Sequence, residues 1–465
     1  MTKTKLSHVV LVFFLLLTSC NFFLVNNTLA IKAGDANNLI GIRDLLVLIT
    51  LCVCAVGGGT APSGGKGGGN ALATAAWWVV ALAPLGAVCG LLAGGKAIDV
   101  GREFVTLASW ALAPLLARNI RSTKQLRLIV DLFVLMGCLV SAGVFVETAT
   151  GMAVHVVTPA GDVLATEVRS TPSGYPVMML ASGVLFARLA AGRRSASWRQ
   201  SVRLVCWMVI LLASLLTQSR TLLVGMVLSH GALLAFIRPK RLLRPGVLAA
   251  IGAAVTLSIG ATFAVGELYI RPDFQSYYEN RYSVLFSPET AQSYRDPRSV
   301  EAELAMERLQ SSPEALVHGA GFGTQFRESS EGRIVGSRDG AGVFAHNIWV
   351  YFGAKFGLPG IVVFTLFAYQ LLKSFLRAMR DSSPLGTAGK GLGVGMLNLL
   401  VCAWFGNVFA QAYNAQIAVV GLGCFIAYER LRERGCLARP ATESFRNRNF
   451  CRYGREPLTE SSRCT

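Results

Sequence analysis

The sequence predicts an all-α polytopic membrane protein of about twelve transmembrane helices, with one large extracytoplasmic loop that contains an amphipathic helix. Three observations predict it. Hydrophobic residues make up 53% of the 465-residue chain against 15% charged, and mean hydropathy is +0.50, too apolar for a soluble domain. Apolar runs of about 17–25 residues recur, each long enough to cross a ~30 Å hydrocarbon core as a helix, the form that satisfies its own backbone in lipid. Lys and Arg gather in alternate loops, which sets orientation in a membrane. The apolar runs are continuous and lack the short alternation of an outer-membrane barrel.

Taken in order, the runs place spans at 8–25, 39–56, 72–92, 104–116, 128–148, 176–191, 202–216, 222–237, 247–269, 347–372, 392–409 and 416–428. Lys3, Lys5 and the apolar start followed by Thr18-Ser19-Cys20 resemble a lipoprotein-type signal, but the apolar character resumes at Phe22 and a first membrane helix is expected instead. The basic loops 118–127, 188–203 and 238–244, the linker 373–390 and the tail from Arg430 all fall on one side, so both termini are expected in the cytoplasm. The organisation is then a bundle over 1–269 (about nine helices), an outer loop over 270–345, a further helix group over 346–429 (about three) and a basic tail over 430–465 that reads as disordered beside anionic lipid. The formal charge of +18, from 44 basic and 26 acidic residues, follows this topology and does not argue for nucleic acid.

Two glycine-rich stretches fail nucleotide-binding patterns. Residues 57–69 lack the spacing of a phosphate loop and read as a linker. Gly319-Ala320-Gly321-Phe322-Gly323 lacks a surrounding strand–helix unit and reads as a backbone bend that re-enters toward the membrane. Within the outer loop, Arg298 to Leu309 is free of Gly and Pro and rich in helix formers, and Pro313 stops it. Most cysteines lie in apolar segments and Cys52 with Cys54 is too close for a metal clip, so no metal and no cofactor is expected.

The candidate chemistry lies at the outer boundary. Arg220, in the turn Gln218-Ser219-Arg220-Thr221, runs against the positive-inside bias; it reads equally as a phosphate ligand or as a snorkelling anchor. Arg298 opens the loop helix, where a guanidinium can hold phosphate oxygens in pairs, and it also fits a solvated surface. His346, at the start of a span, suits proton transfer from a sugar hydroxyl, or simple helix capping.

In this order Ser219-Arg220, Arg298 ahead of an amphipathic helix, Ser312-Pro313 followed by Gly319-Ala320-Gly321-Phe322-Gly323, and His346-Asn347 with Gly357-Leu358-Pro359-Gly360 resemble the O-antigen ligase/O-antigen polymerase family over 202–372. The resemblance implies a metal-independent, inverting glycosyltransferase of the bacterial inner membrane. It would take a glycan from an undecaprenyl-diphosphate donor at the periplasmic face and pass it to lipid A–core or to a second lipid-linked glycan. By the same resemblance Arg220 and Arg298 would bind the donor diphosphate, His346 would activate or orient the acceptor hydroxyl, and Asn347, Gly321 and Gly323 would shape the site. The Trp and Tyr common in the family's loop helix are missing between Arg298 and Pro313. Ligase and polymerase share a donor site, and a ligase is the favoured reading. The competing classes are a lipid-linked oligosaccharide flippase and a membrane scaffold.

Overall fold

The computed structural model describes residues 70–149, 174–191, 198–217, 219–236, 245–269, 297–324, 347–383, 385–406, 408–410 and 412–437, with shorter pieces within 49–55 and 272–279. Apart from a two-residue antiparallel ladder, β1 (His155–Val156) with β2 (Glu167–Val168), the described elements are helices. They are α1 (Ala71–Leu92), α2 (Ala97–Ala108), α3 (Leu112–Asn119), α4 (Thr123–Ala149), α5 (Tyr175–Ala190), α6 (Trp198–Leu216), α7 (Arg220–Phe236), α8 (Pro245–Tyr269), α9 (Pro297–Gln310), α10 (Pro313–His318), α11 (Ile348–Arg380), α12 (Gly386–Gly406) and α13 (Ala412–Leu437). Six of these regions are long and apolar enough to cross a membrane: Ala71–Leu92, Thr123–Val146, Trp198–Leu216, Ala249–Tyr269, Ile348–Arg380 and Gly386–Gly406. Helices α5 and α7 are apolar but shorter, and the expected segment 104–116 is broken, α2 and α3 being joined by a 3₁₀ turn at Ser109–Ala111. The expected spans at 8–25 and most of 39–56, and the tail beyond Leu437, lie outside the described residues.

Small residues decide how closely the bundle packs. Helices α5 and α12 make the most extensive contact, because side chains at Gly183, Gly391 and Gly395 would meet the facing backbone or side chains; the helices approach where glycine leaves room. The core runs from Phe133 and Met178 through Leu399 to Phe364, Phe367 and Phe409, the last two packed against Trp110, whose Nε1 donates to the Phe409 carbonyl at 3.2 Å. One polar pin crosses it. The His230 Nδ1–H donates to the Met226 carbonyl (2.7 Å), which leaves Nε2 as the acceptor for the Ser182 hydroxyl (3.0 Å). Both ring nitrogens are used, as a buried neutral imidazole requires.

Two ends of the bundle are distinguished by α1: a lower end where Asn70 caps it and an upper end where it stops at Leu92. At the lower end the Asn70 amide donates to Glu429 (3.2 Å) and Tyr428 donates to Asp381 (2.6 Å), joining the starts and ends of α1, α11 and α13.

The largest departure from expectation is α11, expected as a single span over 347–372. The left-handed backbone at Gly357 (φ 66°, ψ −153°), followed by Pro359, folds it back on itself into a first arm, 348–356, and a second arm, 358–380. Trp349 Nε1 donates to Thr365 Oγ1 at 3.3 Å and its ring lies 5.0 Å from that of Phe364, although in a straight helix these residues would stand more than ~20 Å apart. Hydropathy summed along the chain does not register a reversal of direction. The second arm alone, about 34 Å long, suffices to cross a bilayer.

Candidate functional site

The upper end gathers the polar chemistry. Because the helical ladder breaks at Gly357 and Pro359 has no N–H, the carbonyls of Ala354 and Lys355 lose their intrahelical donors. The bend 319–324 replaces them: Ala320 N–H donates to the Ala354 carbonyl at 2.8 Å and Gly321 N–H to the Lys355 carbonyl at 3.1 Å, while Phe322 N–H donates to the Gly86 carbonyl of α1 at 2.8 Å. This contact leaves no room for side chains. A Cβ on Gly321 (φ 76°) would overlap the backbone of Gly90, and one on Gly90 would overlap the Phe322 carbonyl. Phe322 is fully buried, edge-on to Phe356 with ring centroids 5.3 Å apart.

Beneath the bend lies a buried ion pair. Lys355, 0% exposed, places Nζ 3.1 Å from Glu103 Oε1 and donates to the Thr324 carbonyl (3.1 Å) and hydroxyl (3.4 Å). The Tyr351 hydroxyl and the Gly323 N–H face Glu103 on α2, with Asp99 one turn away. Burial raises the Glu103 carboxyl to about 7, against the lowering effect of the Lys355 ammonium and of the nearby Gly323 N–H. Sequence reading singled out none of Glu103, Lys355 or Asp99. The available signal was a lysine inside an apolar run and a glutamate at the edge of another, an arrangement that membranes tolerate when the two are paired.

The candidate residues read from the sequence fall into place as follows. Asn347 caps the first arm of α11, its side chain accepting from Trp349 N (2.9 Å) and Val350 N (3.2 Å). Arg220 is the first residue of α7, and its neighbour Thr221 offers its carbonyl to Cys402 Sγ of α12 at 3.7 Å. Half a turn further along α12, and so on its other side, Trp404 packs against Trp349 with ring centroids 4.9 Å apart and the rings inclined at 56°. The N-terminal ends of α7 and of the first arm therefore reach the same level of α12 from different sides. Arg298 lies in the first turn of α9, whose Leu304 and Ala305 pack on Val350 and Ala354 of the first arm. The side chains of Arg220 and Arg298 are outside the described atoms, as is all of His346, the residue before Asn347. Gly321 and Gly323 sit within the bend, against Gly90 and Val100 respectively. Among the described residues, no three His, Cys, Asp or Glu side chains gather as a metal site would require. The chain matches no family model and no curated protein.

Proposed function

We propose that this protein is a glycosyltransferase of the bacterial inner membrane that moves a glycan from an undecaprenyl-diphosphate donor to an acceptor at the periplasmic face, in the manner of an O-antigen ligase. The observation that carries the reading is that two helix N-termini, those beginning at Arg220 and Ile348, reach the same level of α12, in its last turns at the upper end. Helix N-termini favour anions, and an arginine at one of them adds a planar, permanently charged donor for phosphate oxygens. The upper end is then the periplasmic end, which agrees with the basic loop 118–127 and with Arg377 and Arg380 at the other.

In this reading Arg220, with Arg298 from the loop helix, holds the donor diphosphate. An acceptor hydroxyl oxygen bonds to the anomeric carbon as the bond from that carbon to the diphosphate oxygen breaks with inversion. The hydroxyl proton passes to His346, and the electron pair leaves on undecaprenyl diphosphate, stabilised by the guanidinium groups. Asn347 fixes the start of the arm that follows His346. Both termini are cytoplasmic in this arrangement, and the full complement is about twelve spans.

The test is the surface glycan of a deletion strain complemented with variants. Arg220→Ala and His346→Ala are expected to insert normally and to lose long-chain glycan transfer, and retention of wild-type glycan in both overturns the proposal. A ligase leaves polymerised glycan on the lipid carrier in the deletion strain. A polymerase, the alternative acceptor choice, leaves single repeat units on lipid A–core, and a flippase leaves the donor trapped inside.

A further inference from the structure

We infer that Glu103 and Lys355 are positioning residues: their ion pair docks the 319–324 bend between α1 and the first arm of α11, and so sets where that arm presents Asn347 and the preceding His346. The catalytic consequence rests on the transferase reading above; the docking itself does not. Three elements far apart in the chain meet at this pair, α2 through Glu103, α11 through Lys355 and the bend through Thr324 and Gly323. The arm and the bend depend on each other, because the carbonyls of Ala354 and Lys355 find their donors in Ala320 and Gly321. Either both are in place or buried backbone groups are stranded.

A buried ion pair is a poor stability device, since apolar side chains of similar volume often serve as well. Its use here is to define one geometry. The first arm is short, about 13 Å, and is gripped at its Lys355 end by the pair and at its other end by the Asn347 cap. A shift at one end is carried rigidly to the other. The titratable groups facing Glu103 are Lys355, Asp99 and Tyr351.

Hydrogen exchange of peptides covering 319–324, measured on the full chain in lipid nanodiscs, reads docking without reference to activity. The wild type is expected to exchange slowly there. Lys355→Met is expected to exchange faster by on the order of 100-fold, with glycan transfer falling in parallel. The pair Lys355→Met with Glu103→Leu fills the space without charge, and is expected to recover the melting temperature but not the transfer. Unchanged exchange in Lys355→Met overturns the docking role. Faster exchange with full transfer, or recovery of transfer in the double variant, overturns the positioning role. If His346→Ala retains transfer the transferase reading fails, while the exchange data still decide the docking.

Discussion

At the lower end of the bundle Asp381 closes α11 as an ordinary capping carboxylate. It accepts from Ser383 N (2.8 Å), Ser383 Oγ (2.9 Å) and Tyr428 Oη (2.6 Å); burial raises its pKa, but these neutral donors outweigh it and hold the carboxyl below its usual range. At the upper end Glu103 is enclosed, its principal partner is the ammonium of another helix, and its carboxyl is raised to about 7. The same chemical group is held by nearby hydroxyls and an amide in one place and by a remote charge in the other. The lower end fastens helices together. The upper end holds a charge that burial disfavours, a condition that binding and catalytic regions commonly show.

The largest effect is expected from Gly321→Ala, which combines a strained left-handed backbone with overlap on Gly90; it should cost about 3 kcal/mol, read as a lowered Tm in detergent, and abolish transfer. Tyr428→Phe removes one hydrogen bond to Asp381 and should cost about 1.5 kcal/mol while leaving transfer intact, since it touches only the lower end. If it lowers transfer as strongly as Gly321→Ala, the two ends are not separable. Asn347→Ala should cost about 1 kcal/mol as a lost helix cap, yet reduce transfer more than Tyr428→Phe does, because it loosens the start of the first arm.

Much of the framework was legible in the apolar runs. The expected segments 72–92, 176–191 and 202–216 lie within a few residues of α1, α5 and α6, because continuous apolar length is what a helix buried in lipid or protein requires. The helix expected from Arg298 to Leu309 matches α9, and Pro313, read as a stop, begins α10 as a residue suited to a first helical turn. The bend at 319–323 was visible in its glycines. The fold-back of α11 was present in Gly357 and Pro359 but hidden by a uniformly apolar run. Glu103 and Lys355 were not legible as partners, since their pairing depends on how α2 and α11 pack, which spacing along the chain does not encode. Of the expected site residues, the structure places the starts of α7 and α11 at one level of α12, on different sides of it, and Gly321 and Gly323 within the backbone packing of the bend.

Transfer from a lipid diphosphate is tested most directly with purified protein in proteoliposomes supplied with an undecaprenyl-diphosphate-linked glycan, an acceptor and a chelator. Glycosylated acceptor and free undecaprenyl diphosphate are expected in equal amounts, with both products lost in Arg220→Ala. Donor that remains intact on the wild-type protein, or turnover undiminished in Arg220→Ala, contradicts it.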